Sequence, residues 1–280
     1  MSVSVIVPTF NGERWIRDQL EALSTQTYRG EWELIIVDNG STDDTRAVAL
    51  SWAHHFSTLR VLEPSVSGGA ARSRNRGARE AAGDVLVFTD VDDIVSPSWI
   101  ASLTNGLSGA PIVTGPVAHF VDGEPFSGST VKEPERRQRV GAIDPPIGCN
   151  MGIARDVFLE LGGFDEGITL GWEDIDLGIR AALRGFATAW VEGAVVLRRR
   201  PSSARTLWRK EFGYGRGWTM LERRYPQIAA PDGWVRPLLN RAGWVAVRAP
   251  YLAVPARRPA WIVRAASVAG RLAERVRPSI

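Results

Sequence analysis

Four times within about 100 residues, a short β-branched run gives way to a polar turn and then to a segment of helical spacing. Val3-Ser-Val-Ile-Val-Pro8 stops at its proline and turns through Thr9-Phe10-Asn11-Gly12. It leads into Glu13 to Gln26, where Trp15, Ile16, Leu20 and Leu23 recur at helical intervals. Glu33-Leu-Ile-Ile-Val-Asp38 ends in the turn and N-cap cluster Asp38-Asn-Gly-Ser-Thr-Asp-Asp44, followed by a helix through Ala53. Leu59-Arg-Val-Leu62 is a third strand, Gly68-Gly69 opens a helix from Ala70 to Ala82, and Asp84-Val-Leu-Val-Phe-Thr89 is a fourth. Strands separated by helices pair in parallel, through right-handed crossovers. Ligands of such sheets bind beyond the carboxyl ends of the strands. Asn11, Asp38, Gly68-Gly69 and Asp90 to Asp92 all fall at that edge, which predicts one nucleotide-sized site rather than unrelated polar loops.

The fourth strand ends in Asp90, Asp92 and Asp93, three carboxylates within four residues. Carboxylates are costly to bury unpaired. Asp90 and Asp92 alternate with Val91, so a small turn aims both at one point. Hard divalent cations such as Mg2+ or Mn2+ prefer oxygen ligands, often one or two carboxylates with substrate phosphates. Taken alone, the motif reads better as an acidic loop before a helix that starts near Ser96-Pro97. The rest of the chain reverses that preference.

Three further clusters carry chemistry. Asp38 follows a buried strand, where its carboxylate suits the N–H edge of a base or a ribose; the competing role is an Asx-turn, which Thr42 or Asp43 could serve instead. Gly68-Gly-Ala-Ala-Arg-Ser-Arg-Asn-Arg-Gly77 joins a glycine turn to a helix start carrying Arg72, Arg74 and Arg76. Helix N-termini and guanidinium forks both favour phosphate, although at least one of these arginines is expected to face solvent. The glycines match neither a Walker A loop nor G-x-G-x-x-G. Trp172-Glu-Asp174 opens an apolar helix. Acids in a first turn complement the helix dipole, but a tryptophan beside two carboxylates also fits a base that deprotonates a sugar hydroxyl while the ring packs on the sugar.

A single cysteine, Cys149, excludes an internal disulfide framework and any CxxC metal site, and suits a reducing cytoplasm. The N-terminus lacks the basic region of a secretory signal, and no stretch is apolar enough to span a bilayer. Ser127 to Asp144, polar and basic, reads as a surface loop or a substrate lid. Pro111 to Pro116 reads as another strand, Asp156 to Leu161 as a helix ended by Gly162-Gly163, and Leu207 to Tyr225 as a helix rich in Trp, Arg and Tyr. The net charge of +3 hides an asymmetry: from Asp232 to Ile280 there are nine arginines and two acids, +7. Trp/Arg stretches of this kind either pack on the body of the protein or lie at an anionic membrane surface. No nucleic-acid-binding module accompanies the charge.

Val5-Ile-Val-Pro-Thr-Phe-Asn11, Ile35-Ile-Val-Asp-Asn-Gly-Ser-Thr-Asp43, Ala71-Arg-Ser-Arg-Asn75, Thr89-Asp-Val-Asp-Asp93, Cys149-Asn-Met-Gly-Ile-Ala-Arg155, Gly162-Gly-Phe-Asp165 and Trp172-Glu-Asp-Ile-Asp-Leu177 stand in one order. That ordered set resembles the family 2 glycosyltransferases of the GT-A, or nucleotide-diphospho-sugar transferase, fold, over roughly residues 3 to 185. The resemblance implies a mostly parallel α/β sheet flanked by helices in a catalytic domain of residues 1–205 (nucleotide half 1–95, acceptor half 96–205). A helical extension would follow at 206–280. It implies an inverting enzyme that moves one sugar from a nucleotide-sugar donor to a glycan or lipid-linked acceptor in cell-envelope or polysaccharide synthesis, at the inner face of the cell membrane or in the cytoplasm. Pro8, Thr9, Asn11 and Asp38 would hold the nucleoside, with Gly69, Arg72, Arg74, Asp90 and Val91 along the rest of the donor. Asp90 and Asp92 would hold a divalent metal, Mn2+ or Mg2+. Glu173 and Asp174 would carry catalysis, with Asp174 preferred as base, and Asn150 and Trp172 would meet the acceptor.

Two departures from the family pattern stand out. Many relatives place a metal-binding histidine on the strand here written Ala194-Val-Val-Leu-Arg-Arg-Arg200, where this chain has Leu197 and Arg198. The Q-x-x-R-W sequence of processive synthases is absent, which favours transfer of a single sugar. The competing activities are nucleotidyl transfer to a sugar phosphate, which usually needs a lysine-bearing N-terminal loop that this chain lacks, and a silent nucleotide-sugar-binding module, which would not need Asp90, Asp92, Glu173 and Asp174.

Overall fold

A computed structural model describes residues 1–63, 68–121, 140–200, 203–226 and 235–276. Two compact units emerge: Met1–Arg139 with Ile143–Gly167 and Glu173–Arg199, and Val140–Ala142 with Ile168–Trp172 and Arg200–Ile280.

The first unit opens with β1 (Val3–Thr9), α1 (Glu13–Ser24), β2 (Trp32–Asp38), α2 (Thr45–Ser51), β3 (Leu59–Leu62), α3 (Ala70–Glu80) and β4 (Val85–Phe88). It continues through β5 (Asp93–Val95), α4 (Trp99–Gly106), β6 (Ile112–Thr114), β7 (Val117–Val121), β8 (Met151–Ala154), α5 (Arg155–Glu160), α6 (Glu173–Leu183), β9 (Thr188–Trp190) and β10 (Val196–Arg200). A seven-stranded sheet runs β3-β2-β1-β4-β8-β6-β9. The first four strands in that order are parallel, as their helical crossovers require. β8 enters antiparallel between β4 and β6, so the sheet is mixed beyond its nucleotide half.

Alternation along β1 sends Val5 and Val7 to one face and Ile6 to the other, and all three are fully buried. Val5 and Val7 join Leu20, Ile36 and Trp99 in one apolar layer, and Ile6 joins Ile35, Phe88, Met151 and Phe158 in the second. α3 comes close to the sheet because Gly77 lies against Ile6: a Cβ there would fall 2.5 Å from Ile6 Cγ2. α1, α2 and α3 each end two residues short of their expected C-termini, at Ser24, Ser51 and Glu80.

The second sheet, β5-β10-β7, was not expected. Its strand β5 begins at Asp93, which the sequence reading places in the acidic turn. β5 pairs antiparallel with β10, setting Asp93 opposite Arg198.

The second unit holds α7 (Ala204–Arg224), α8 (Val235–Val247) and α9 (Arg258–Arg275). α7 and α9 approach closely at Gly215, where a Cβ would meet the Ser267 carbonyl oxygen at 2.2 Å. The acids between these helices are met by arginines: Arg216 bonds Glu274 at 2.8 Å, and Arg271 and Arg275 both reach Glu222. No helix among the described residues is long and apolar enough to cross a membrane. Residues 127–139 of the expected surface loop, and Asp232 to Trp234 of the basic tail, lie outside the described residues.

Candidate active site

The carboxyl edge of the parallel strands is knitted together by short polar side chains. Asn11, at φ 48°, accepts from the Thr42 N–H at 2.9 Å, and its own N–H donates to Ser41 Oγ at 2.9 Å. The Gly68 N–H donates to Asn39 Oδ1 at 3.0 Å, tying the glycine turn to the loop after β2. Thr9 pairs in register with Asp38, and both are buried. Asp38 Oδ1 accepts from the Ser41 N–H (3.0 Å) and hydroxyl (2.6 Å), fixing the loop after β2. Asp43 accepts from the Thr45 N–H at 3.1 Å, which makes the Asx-turn at the start of α2 that the sequence allows it. Pro8 is buried in β1, Gly69 caps α3 with open space around it, and Val91 is buried. Asn39 and Ser41 were missed as organisers; the Asx-rich Asp38-Asn-Gly-Ser run was the available signal.

Gln19 anchors the acidic turn. It is 1% exposed, and its amide donates to Thr89 Oγ1 at 2.9 Å and to the Asp90 carbonyl at 3.1 Å. Asp90 Oδ1 then accepts from Arg74 Nη2 at 2.5 Å, while Arg74 Nη1 donates to Glu173 Oε1 at 2.6 Å. The acidic turn and the start of α6 are thus joined by one guanidinium that is 3% exposed. Burial alone would lower the pKa of Arg74, but Asp90, Glu173 and Asp174 together raise it, so the cation persists.

This corrects the expectation that Arg74 is open to a phosphate, because its fork is occupied by two carboxylates. Arg72 bonds Glu166 at 2.9 Å but keeps 39% of its side chain exposed. Arg76 pairs with Glu80 at 3.2 Å.

Asp174 sits one residue into α6. Its Oδ2 accepts from the Gly148 N–H at 2.7 Å and its Oδ1 from the Ile175 N–H at 2.8 Å. Burial, then the Glu173 charge, lift its carboxyl to about 6, against the lowering pull of those N–H groups and Arg74. A carboxyl poised there suits a general base near neutral pH. Asp176 is fully buried and structural: it holds Arg180 at 2.7 Å, whose other nitrogens clamp the carbonyls of Leu161 and Gly163.

Asn150 is corrected. It is 0% exposed, its amide donates to the carbonyls of Pro116 (3.0 Å) and Ala194 (2.7 Å), and its oxygen accepts from Trp99 Nε1 at 2.8 Å. It pins buried segments together and presents nothing to an acceptor. Trp172 belongs to the second unit. Its ring packs against Tyr214 and Trp218, its indole N–H donates to the Tyr214 carbonyl at 2.8 Å, and its backbone lies at φ 76°. The same unit carries a cavity of about 330 Å³ lined by Leu170, Trp208, Arg209, Phe212, Gly213 and Arg216.

The carboxylates at the acidic turn divide unexpectedly. Asp90, Asp93 and Cys149 bring ligand atoms within 4.8 Å of one another, and Asp92, half-buried, stands outside that group. Asp90 and Asp93 fit a hard divalent ion, whose shell phosphate oxygens and water would complete. Cys149 suits such an ion less, because its sulfur is a soft ligand; burial raises both its thiol and the Asp93 carboxyl. Arg198 also reaches the cluster, bonding Cys149 Sγ and standing 3.9 Å from Asp93 Oδ1. Asp93-Ile94-Val95 could have been read as a strand start from its β-branched pair. The signal for Arg198 was its place on the strand where this chain departs from the family pattern.

A mixed α/β sheet with acidic turns at the carboxyl ends of its parallel strands is the GT-A fold of the nucleotide-sugar transferases. The model of glycosyl transferase family 2 matches residues 4–162, more than half of the chain, and the chain belongs to that family. Glycosyltransferase AglE of Haloferax volcanii is 26% identical over 299 residues, 96% of this chain and 95% of its own. The UDP-Glc:alpha-D-GlcNAc-diphosphoundecaprenol beta-1,3-glucosyltransferase WfgD of Escherichia coli is 36% identical over 100 residues, 36% of this chain and 37% of its own. A mannosyltransferase of Pyrobaculum calidifontis, solved with GDP-Man and Mn2+, matches at a TM-score of 0.70 and 20% identity, over 98% of this chain and 87% of its own.

Proposed function

We propose that this glycosyltransferase moves a single sugar, with inversion, from a nucleoside-diphosphate sugar to a hydroxyl of a glycan or lipid-linked acceptor. The observation that supports the reading best is the Arg74 bridge, which joins Asp90 of the acidic turn to Glu173, the neighbour of Asp174. The donor's nucleoside lies along Pro8, Thr9, Asn11 and Asp38, and its diphosphate by Gly69, Arg72 and Val91. Asp90, with Asp92 or Asp93, would hold an Mn2+ or Mg2+ ion, which neutralises charge on the departing diphosphate when bound.

Asp174 takes the proton of the acceptor hydroxyl. The acceptor oxygen forms its bond to the anomeric carbon as the bond from that carbon to the diphosphate oxygen breaks, and the electron pair leaves with the nucleoside diphosphate. One displacement from the opposite face inverts the anomeric centre. Arg74 keeps Glu173 in place beside the base.

The alternative of a silent binding module would not need the carboxylates Asp90, Asp92, Glu173 and Asp174, all of which the chain carries. Lipid-linked acceptors are favoured by the likeness to WfgD, whose name specifies a diphosphoundecaprenol-linked sugar, and the apolar wall of the cavity with its arginines suits a lipid bearing phosphate. Membrane contact by the basic tail is supported by exposed Leu239 (64%) and Val247 (76%) among the arginines of α8 and beyond. Loss of flotation with anionic vesicles in the Leu239→Asp/Val247→Asp variant would support that contact, and unchanged flotation would end it.

The test of the whole reading is a panel of nucleotide sugars, screened by thermal stabilisation with and without Mn2+. The stabilising donor is then supplied with lipid-diphosphate glycans, and the anomeric configuration of the product is read by NMR. A product of retained configuration would overturn the single displacement.

A further inference from the structure

We infer that Arg198 supplies a fixed positive charge to the donor's diphosphate, so that nucleotide binding in this enzyme has a component that needs no metal. This deepens the nucleotide-sugar reading and rests on it.

Arg198 sits on β10 directly opposite Asp93 on β5, so the antiparallel register carries it to the acidic turn. Its Nη2 bonds Cys149 Sγ and its Nε stands 3.9 Å from Asp93 Oδ1. The guanidinium is therefore built into the cluster whose donor atoms lie within 4.8 Å of one another.

A permanent cation in that position has two consequences. It opposes a divalent ion, because Asp93 already has a positive partner and like charges repel. It also offers an anion what a metal offers, and more directionally: guanidinium N–H groups bond phosphate oxygens in charge-assisted pairs. The side chain is 23% exposed, so a bound anion can reach it, while its ion-pair partner Asp93 is 1% exposed. Asp90 is 30% exposed and its Oδ1 is bound to Arg74, so two guanidiniums already serve the carboxylates that a metal would use. The charge at this turn is thus shared between resident arginine and incoming ion.

The experiment measures the affinity of UDP, GDP and dTDP by calorimetry, in EDTA and in Mn2+, for the wild type, Arg198→Ala and Arg198→Gln. A parallel titration follows Mn2+ alone by electron paramagnetic resonance. The wild type is expected to bind one of the nucleotides in EDTA no more than about tenfold more weakly than in Mn2+. Both variants are expected to lose at least tenfold of the EDTA affinity, to keep most of the Mn2+-supported affinity, and to bind Mn2+ alone more tightly than the wild type does. The glutamine, similar in reach and neutral, separates charge from packing. Wild-type binding that vanishes in EDTA, or Arg198→Gln binding that matches wild type in EDTA, would overturn the inference and leave the donor reading standing. No binding of any nucleotide in Mn2+ would overturn both.

Discussion

The Arg74 guanidinium lies 2.6 Å from Oε1 of Glu173, a residue 99 positions further along the chain, and the same group holds Asp90. A buried cation between two carboxylates is costly to break, since each partner loses its compensation.

Arg74→Ala should destabilise the protein by about 3 kcal/mol, at the lower end of the cost of opening a buried pair because Asp90 keeps 30% of its side chain exposed. Arg74→Lys cannot fork to both carboxylates and should recover only part of that loss. Arg74 also pulls the Asp174 pKa down, so its removal should move the acid limb of the pH–rate profile upward. Denaturant midpoints and kcat/KM against pH, measured on both variants, check the two effects together.

The pH dependence follows from Asp174 directly. A base must be deprotonated, so kcat/KM should fall tenfold per unit below about pH 6, the value to which burial lifts this carboxyl. The stability effect runs the other way. A carboxyl raised from 3.8 to about 6 favours the folded state while protonated, and that contribution is lost as pH rises through about 6. Its size is of order 2–3 kcal/mol. Stability curves of the wild type and Asp174→Asn, compared from pH 4 to 7, should differ in slope by this one proton.

Asn150→Leu tests the reassignment of that residue from acceptor contact to buried pin. Trp99 Nε1 and the carbonyls of Pro116 and Ala194 lose their partner, at about 2–4 kcal/mol in all. Where the variant folds, its acceptor KM should stay within about twofold of wild type; a tenfold rise would restore the contact role.

The nucleotide half was legible because its signals are local. Each of β1 to β4 is a short, largely apolar run bounded by turn residues, and the parallel order follows from the helices between them. Position at the sheet edge was legible for Asn11, Asp38 and Asp90 on the same grounds. What stayed hidden depends on contacts between distant residues. β5 is three residues long and exists by pairing with β10; Ile94-Val95 hints at a strand, but nothing nearby announced that Asp93 would face Arg198. Arg74 looked like a phosphate ligand because helix starts attract anions; its anions proved to be the protein's own. Asn150 precedes an apolar strand like any loop residue, and only Trp99, 51 positions away, decides that it is buried.

The most direct test is the Asp174→Asn enzyme, assayed for donor affinity by calorimetry and for transfer in a single turnover. A carboxamide cannot accept the acceptor's proton, so transfer should fall by about 10²- to 10⁴-fold while donor affinity stays within about threefold. Transfer at the wild-type rate would show that another group removes the proton and would contradict the account at its centre.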